Sequence, residues 1–134
     1  MIAFRGFIHL LPVTLLFLLL QGCTSGPMVL TQAMHDTTVD VQLGRIVDVE
    51  LAENPSTGWT WRLQTSTKGV LEPAGEHFTP GPDAGRRVGV GGIRVFHYRA
   101  AAVGEVRLVY ALVPPGSGGK ASDETFTISI HVNN

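Results

Sequence analysis

Apolar and polar residues alternate in short runs along most of this chain, and this period of two restricts its fold more than any other feature of the sequence. The clearest apolar series are Val47, Val49 and Leu51, then Val106, Leu108, Tyr110 and Leu112, and finally Phe126, Ile128, Ile130 and Val132. Alternation of this kind is typical of half-buried β-strands. Glycine and proline separate the runs, and no window after residue 35 has a helical period. The sequence therefore predicts an all-β fold, an antiparallel β-sandwich of seven or eight short strands.

Two local arrangements are predicted from the same pattern. Residues 39–43 and 47–51 both alternate and are joined by Gly44, so we expect these two strands to pair with each other. A third strand begins at Trp59 and Trp61, and the alternation predicts that both indoles are buried.

The middle of the chain has a weaker pattern. Residues 70–72 predict a short strand that stops at Pro73, because proline cannot donate a hydrogen bond to a sheet. Residues 75–85 contain several glycines and prolines without alternation, and they are predicted to form a loop.

The N-terminal residues 1–22 have the composition of a targeting segment and are not expected to join the fold. Arg5 supplies a positive start, and residues 10–20 form an almost unbroken apolar run of signal-peptide length. A retained membrane helix is the weaker alternative, since it needs about 20 apolar residues. A leucine three residues before Cys23 and a glycine directly before it resemble a bacterial lipobox. We therefore predict lipidation of Cys23, a flexible tether over residues 23–35, and a location in the bacterial cell envelope, at the outer membrane facing the periplasm.

Length and charge restrict the remaining chain to one small domain without a basic surface. Removal of residues 1–22 leaves 112 residues, enough for a single domain at residues 36–134. Nine basic and eleven acidic residues remain, a net charge of −2 with histidine neutral. The absence of a basic stripe in the sequence argues against nucleic acid as a partner. Cys23 is the only cysteine, so an intrachain disulfide is excluded. We expect a monomer.

Residues 54–59 form an uncharged run with restricted backbone freedom. Its members, in order, are Asn54, Pro55, Ser56, Thr57, Gly58 and Trp59. Pro55 has φ fixed at about −65° and favours an extended residue before it, whereas Gly58 allows the positive φ of a tight turn. The run suits either an ordinary connection between strands or a stiff binding loop.

A second run is rich in glycine and consists of Gly89, Val90, Gly91 and Gly92. It is not a dinucleotide-binding fingerprint, because Arg94 stands where the third glycine would be and no predicted helix follows. Adjacent glycines also suit a plain hairpin turn, so this run alone requires no function.

Taken together, the two runs resemble the loops of the chagasin-like inhibitors of cysteine peptidases. Residues 54–59 match the pattern N-P-T-T-G-aromatic, with Ser56 in place of the first threonine. Residues 89–92 match the pattern G-x-G-G and follow the first pattern in the expected order. The resemblance covers roughly residues 39–132, essentially the whole domain.

The third pattern of that family, R-P-aromatic, does not occur in this chain. It begins two residues after a tyrosine, and counted from Tyr110 its positions hold Leu112, Val113 and Pro114. The strand and the tyrosine match, but the arginine and the aromatic residue are absent. The prolines at residues 114–115 still predict a rigid loop at this place.

The resemblance implies an immunoglobulin-like topology and a reversible inhibitor of papain-like cysteine peptidases, which is not an enzyme and uses no cofactor. Residues 54–59 would enter the peptidase cleft over its catalytic cysteine and histidine. Residues 89–92 would lie along one side, and the loop containing Val113 and Pro114 would cover the other. An uncharged loop suits this role, because an unpaired charge is costly to bury.

Other functions have weaker signals in the sequence. The histidines after the targeting segment are His35, His77, His97 and His131. They are far apart and lack the spacing of a zinc motif, so surface histidines and no metal site are expected. No G-x-S-x-G context marks a hydrolase nucleophile, and a hydrolase with an unrecognised site is the weakest alternative. The main alternative is a structural or adhesive envelope lipoprotein with an immunoglobulin-like domain and no inhibitory activity.

Overall fold

The computed structural model describes residues 26–134. The predicted targeting segment, residues 1–22, and the predicted lipidation site Cys23 lie outside the described residues. Within residues 26–134, no helix is long and apolar enough to cross a membrane. This part of the chain consists of β-strands, two short 3-10 helices and connecting loops.

Eight strands form two four-stranded sheets that pack face to face. In chain order they are β1 (Met28–Thr31), β2 (Thr37–Gln42), β3 (Ile46–Glu53), β4 (Thr60–Leu63), β5 (Leu71–Pro80), β6 (Gly92–Ala100), β7 (Gly104–Val113) and β8 (Thr125–Asn133). One sheet has the order β1-β3-β6-β5 and the other has the order β2-β8-β7-β4. The predicted all-β sandwich is confirmed. Its sheets are mixed, because β1 pairs in parallel with β3 and β2 pairs in parallel with β8, whereas the other pairings are antiparallel.

The core lies between the sheets and is built from residues that alternate in the sequence. Fully buried side chains include Val47, Val49, Leu51, Leu108, Tyr110, Ile128, Ile130 and Val132. Successive side chains of a strand point to opposite faces, so every second residue reaches this layer. Each buried valine or leucine contributes about 1.5–3 kcal/mol to stability.

A hydrogen bond between two tyrosines crosses the core. The Tyr98 hydroxyl of β6 lies 2.5 Å from the Tyr110 hydroxyl of β7 in the other sheet. Burial raises the pKa of both hydroxyls, so both remain protonated and each satisfies the other. This contact joins the sheets without leaving an unpaired polar group in the apolar layer.

β2 and β3 lie in different sheets, so the predicted pairing of residues 39–43 with residues 47–51 is wrong. Gly44 does turn the chain, with φ +83°, but β2 then pairs with β8, whereas β3 pairs with β1 and β6. Alternation indicates which face of a strand is buried, not which strand lies beside it. Here the two buried faces belong to one core cluster, which contains both Val41 and Val49.

β5 is longer than predicted. It continues through Pro73 and through the first part of the expected loop at residues 75–85. β5 is an edge strand, and an edge tolerates proline because its outward side needs no donors. The register shifts between Pro73 and Gly75, and most side chains of the strand are exposed. A strand without a buried face over most of its length has no reason to alternate, which explains why the sequence did not reveal it.

The ordered domain begins before the predicted tether ends. Met28–Thr31 forms β1, which pairs in parallel with β3, and Leu30 is fully buried in the core. The 3-10 helix Gln32–Met34 follows, and the Gln32 side chain accepts a hydrogen bond from the Ala52 amide. The prediction of a tether over residues 23–35 is therefore wrong from Met28 onward, because Leu30 fills an apolar site beside β3.

Three loops lie together at the end of the sandwich where β3, β5 and β7 finish. Loop 1 is residues 54–59, loop 2 is residues 81–91, and loop 3 is residues 114–124. The beginning of β1 lies at the opposite end, because Met28 pairs with Val47 near the start of β3.

Only one of the two tryptophans belongs to the core. Trp61 is 2% exposed, and its indole nitrogen donates to the Ala52 carbonyl at 2.8 Å. Trp59 precedes β4 and is 36% exposed. The expectation that both indoles are buried is therefore wrong for Trp59, which lies in loop 1.

Replacing the buried tryptophan should be far more damaging than replacing the exposed one. Trp61→Ala should lower the free energy of unfolding by about 3–5 kcal/mol, because it removes a buried aromatic ring and leaves a cavity. Trp59→Ala should lower it by about 1 kcal/mol or less, as surface substitutions do. Urea denaturation followed by circular dichroism measures both values. Similar losses for the two variants would contradict this assignment.

Candidate functional site

Loop 1 begins with a side chain that caps its own turn. Asn54 precedes the 3-10 helix Pro55–Thr57, with proline at the first position, where a missing amide hydrogen has no cost. The Asn54 Oδ1 atom accepts hydrogen bonds from the Ser56 amide at 3.2 Å and from the Ser56 hydroxyl at 2.7 Å. Asparagine is a preferred residue at such a cap. The sequence order of loop 1 therefore dictates a compact turn and not an extended segment.

The second half of loop 1 is closed by its threonine and its glycine. The Thr57 hydroxyl donates to the Asn54 carbonyl at 2.7 Å and accepts from the Trp59 amide at 3.3 Å. Gly58 ends the turn with φ +76°, and its amide donates to the Pro55 carbonyl at 3.0 Å. The residues of this loop are exposed or partly exposed, and none is charged. Loop 1 is thus a neutral turn whose first two carbonyls already have hydrogen-bond partners.

Loop 2 is attached to loop 1 through the same asparagine. The Asn54 Nδ2 atom donates to the Gly89 carbonyl at 2.9 Å. Gly89 has φ +76°, a conformation that glycine adopts without strain. Asn54 therefore serves loop 1 with its oxygen and loop 2 with its nitrogen.

The rest of the glycine-rich run packs tightly against neighbouring backbone. A Cβ atom on Gly91 would lie 3.2 Å from the Glu53 carbonyl oxygen, and a Cβ atom on Gly92 would overlap the Thr79 carbonyl. Val90 lies beside Gly81, the first residue of loop 2. The glycines at these positions thus let loop 2 approach β3 and β5 closely, whatever else the run does.

Loop 3 contacts loop 1 through Pro115, which the sequence placed in a rigid loop but did not identify as a site residue. A Cβ atom on Gly58 would lie 2.9 Å from the Cβ atom of Pro115. Of the residues that were singled out, Val113 is buried at the end of β7, and the Pro114 carbonyl accepts from the Ser117 hydroxyl at 2.8 Å. The two adjacent prolines indicate a rigid loop, but the sequence does not show that Gly58 is their neighbour in space.

Exposed apolar side chains surround these loops. Trp59 lies in loop 1, Val88 lies in loop 2, and Ile93 follows loop 2 at the start of β6. Apolar and aromatic residues are enriched at the centres of protein–protein interfaces. The loop end of the sandwich therefore combines a neutral turn with three exposed apolar side chains.

Glu53, at the base of loop 1, is charged yet only 5% exposed. Its Oε2 atom accepts from the Trp61 amide at 3.0 Å and from the Thr60 hydroxyl at 3.2 Å. Its Oε1 atom accepts from Arg94 Nη2 at 2.6 Å and from Arg94 Nε at 3.1 Å. The sequence reasoning missed this residue, although it lies two positions after Leu51 and so continues the buried face of β3.

The surroundings of Glu53 favour its ionised form. Burial by itself raises the pKa of this carboxyl, but the hydrogen bonds from Arg94 and the Trp61 amide, together with the Arg94 charge, hold the pKa below its usual value. The same hydrogen bonds with Glu53 raise the pKa of Arg94. Both groups are therefore charged at neutral pH and compensate each other.

Two histidines that are distant in sequence meet on the outer face of the β1-β3-β6-β5 sheet. His77 Nδ1 lies 2.8 Å from His97 Nε2, and His97 Nδ1 lies 2.7 Å from Asp48 Oδ1. Among residues 26–134, no group of three side chains is arranged to hold a metal ion. Both histidines lie on strands, as expected, and although they are 20 residues apart in the sequence they are adjacent in the structure.

Comparisons with known sequences identify relatives of this chain. The model of the chagasin family of peptidase inhibitors, I42, matches residues 40–130. The sequence is similar to chagasin of Trypanosoma cruzi, with 29% identity over 108 residues that cover 77% of this chain and 96% of chagasin.

Several solved structures have the same fold. The cysteine protease inhibitor EhICP2 of Entamoeba histolytica superposes with a TM-score of 0.70 at 21% identity, covering 81% of this chain and 96% of that one. Amebosin superposes with a TM-score of 0.65 at 26% identity, covering 80% and 98%. PbICP-C, solved in complex with falcipain-2, superposes with a TM-score of 0.51 at 16% identity, covering 81% and 92%.

The contact between loops 1 and 3 can be measured by comparing two glycines. Gly58 and Gly44 have φ of +76° and +83°, so alanine is strained by about 1–2 kcal/mol at either position. Only Gly58 has Pro115 against it, whereas nothing lies within 4 Å of a Cβ atom on Gly44. Gly58→Ala should therefore lower the free energy of unfolding more than Gly44→Ala does. Equal losses in urea denaturation would mean that the two loops do not touch.

Proposed function

Because this chain belongs to the chagasin family of peptidase inhibitors, we propose that it reversibly inhibits papain-like cysteine peptidases by covering their active-site cleft with loops 1, 2 and 3. The observation that carries this proposal is that the three loops lie at one end of the sandwich and that loops 2 and 3 both contact loop 1. Asn54 joins loop 1 to loop 2, and Gly58 packs on Pro115 of loop 3.

Loop 1 has the properties of the segment that enters the cleft. It carries no charge, so its burial leaves no unpaired ion, which would cost several kcal/mol. Its turn is held by internal hydrogen bonds, so it loses little conformational freedom on docking. Trp59, the last residue of loop 1, is 36% exposed and supplies an aromatic contact of the kind that dominates binding energy.

The same internal hydrogen bonds explain how loop 1 can occupy a peptidase cleft without being cleaved. Cleavage requires the scissile carbonyl to receive hydrogen bonds from the enzyme as it becomes an oxyanion. The Asn54 carbonyl already accepts from the Thr57 amide and hydroxyl, and the Pro55 carbonyl accepts from the Gly58 amide. Loop 1 is therefore a closed turn, and its first two carbonyls are directed toward donors of the same loop.

Loops 2 and 3 have unequal roles in this proposal. Loop 2 presents Val88, which is fully exposed, beside the glycine-rich run at residues 89–92. Loop 3 lacks the arginine and the aromatic residue of the family pattern, and its Pro115 packs against Gly58 of loop 1. Loops 1 and 2 then supply most of the contact with the peptidase, and loop 3 acts largely through loop 1.

A charge at the tip of loop 1 should weaken inhibition. Thr57→Asp should raise the inhibition constant at least about thirtyfold relative to Thr57→Asn, a difference of about 2 kcal/mol. The two substitutions have nearly the same size and differ in charge, so their comparison isolates the cost of burying an unpaired carboxylate. Inhibition of papain and several papain-like enzymes is measured with each folded variant.

Two controls complete this test. Prolonged incubation with excess peptidase, followed by mass spectrometry, should leave loop 1 intact. If the wild-type protein inhibits none of the enzymes, the structural or adhesive alternative takes the place of this proposal. If Thr57→Asp and Thr57→Asn inhibit equally, loop 1 is not the inserted element.

We further propose that Cys23 is lipidated and anchors the protein in the bacterial cell envelope, at the outer membrane facing the periplasm. The apolar run and the lipobox-like residues before Cys23 support this proposal. The position of β1 supports it as well, because Met28 lies at the end of the sandwich opposite loop 1. The five residue-to-residue steps from Cys23 to Met28 reach at most about 18 Å. β3 has eight residues and separates this end from loop 1 by about 26 Å, so an anchored domain would present its loops away from the lipid.

The anchor can be tested by mass spectrometry of the mature full-length protein. The expected N-terminus is an acylated Cys23, and the protein should be recovered with membranes. Cys23→Ser should release the protein into the soluble fraction while leaving its inhibition constant unchanged, because loop 1 lies at the opposite end. A mature protein that carries an unmodified Cys23 would overturn the anchor without affecting the inhibitor proposal.

A further inference from the structure

Glu53 is the last residue of β3 and stands directly before the first residue of loop 1. Its carboxylate reaches β4 on the other side of the loop, where it accepts from the Trp61 amide and the Thr60 hydroxyl. Loop 1 occupies the residues between these attachments. A single carboxylate therefore closes the base of loop 1 across its width.

The other oxygen of Glu53 connects this base to loop 2. Arg94 lies in β6, three residues after the end of loop 2, and donates two hydrogen bonds to Oε1. The guanidinium is itself held from the side of β5, since Nη1 lies 3.8 Å from Glu76 and the group lies 5.5 Å from the centre of the Phe78 ring. The Glu53–Arg94 pair is thus attached to β3, β4, β5 and β6 at the level where loops 1 and 2 leave the sandwich.

An ion pair with a buried carboxylate and a partly buried guanidinium is poorly suited to adding stability. The cost of removing both charges from water roughly offsets their attraction, so apolar residues in the same space are often equally stable or more stable. What the pair adds is a fixed relative orientation of the segments that carry it, because a planar guanidinium forms two hydrogen bonds with a carboxylate only in a narrow range of orientations. Because the pair lies beneath loops 1 and 2, this fixed orientation bears on binding.

We propose that Glu53 and Arg94 are a positioning pair, which holds loop 1 at a fixed distance and angle from loop 2 and so sets the affinity for the peptidase without touching it. This inference rests on the proposed inhibitory function. Neither side chain belongs to loop 1 or loop 2, and Glu53 is too buried to reach a partner. The pair restricts the motion of the two loops relative to each other, so binding does not have to pay the entropy cost of that restriction.

The charges that face Glu53 predict how the pair responds to acid. Arg94 from β6 and the donors of β4 face the carboxylate directly, and Glu76 from β5 faces the far side of Arg94. Because the folded-state pKa of Glu53 lies below its usual value, the contribution of the pair is fully present above the usual pKa of about 4.3. It is lost only as the pH falls through the lower folded-state value. The pair therefore remains intact in mildly acidic surroundings.

The test compares Glu53→Gln with two matched controls. Glu50→Gln makes the same change on the same strand, outside the Glu53–Arg94 pair, and Glu72→Gln removes the carboxylate of the exposed Glu72–Arg99 pair, away from the loops. Glu53→Gln should raise the inhibition constant for papain about tenfold, which corresponds to about 1.4 kcal/mol. Both controls should inhibit like the wild type.

Stability must be measured on the same samples, because a merely structural role would change unfolding and not affinity. As long as each variant is more than about 99% folded, a loss of stability of a few kcal/mol leaves the inhibition constant unchanged. Arg94→Lys keeps the charge but loses the planar fork, and it should weaken inhibition like Glu53→Gln. If Glu53→Gln does not fold, Arg94→Lys decides the question. Wild-type affinity in a folded Glu53→Gln or Arg94→Lys variant would overturn the proposal.

A second measurement needs no peptidase and separates this proposal from the inhibitory function. Amide hydrogen exchange in loops 1 and 2 should be faster in Glu53→Gln than in the wild type, whereas Glu72→Gln should not change it. If the wild type inhibits no papain-like enzyme but exchange accelerates, the inhibitory function fails and the positioning role of the pair stands. Unchanged exchange would overturn the positioning role itself.

Discussion

The burial of one face of each sheet against the other is the constraint on which the rest of this molecule depends. Loops 1 and 3 start from β3 and β7, whose inner residues, such as Leu51 and Tyr110, are fully buried in that layer. The Tyr98–Tyr110 contact joins the sheets at a defined distance. The position of loop 1 depends most directly on this core, because loop 1 joins β3 of one sheet to β4 of the other, and a displacement of one sheet relative to the other would move its two ends apart.

Above that core, a few side chains convert three separate loops into one unit. Asn54 caps loop 1 and donates a hydrogen bond to loop 2. Gly58 leaves room for Pro115 of loop 3. Glu53 accepts hydrogen bonds from Arg94 at the base of loop 1. Each contact uses a residue within or next to loop 1. Loop 1 is consequently the part whose geometry most depends on the other two, and this is the property expected of the segment that enters a cleft.

Local patterns in the sequence predicted the local features of the structure and failed where the outcome depended on distant residues. Alternation predicted strands and a sandwich, and the order of residues 54–59 predicted a stiff neutral turn. The parallel neighbour of β2 and the contact of Pro115 could not be predicted, because each depends on a segment far away in the chain. Glu53 resembled a surface acid, and only its place two residues after Leu51 indicated that its side chain is buried.

A neutral loop 1 above a charged Glu53–Arg94 pair can be understood by asking whether each group is desolvated during folding or during binding. A charged residue in loop 1 would have to be desolvated at each encounter with a peptidase, against a partner surface that must supply a matching charge. The Glu53–Arg94 pair is desolvated during folding, where its partners are part of the same chain and already aligned. Because the ion pair lies one residue below the loop, the neutral tip is supported by charged hydrogen bonds of fixed geometry, and on the proposed mode of binding the tip itself would bring no charge that has to be desolvated.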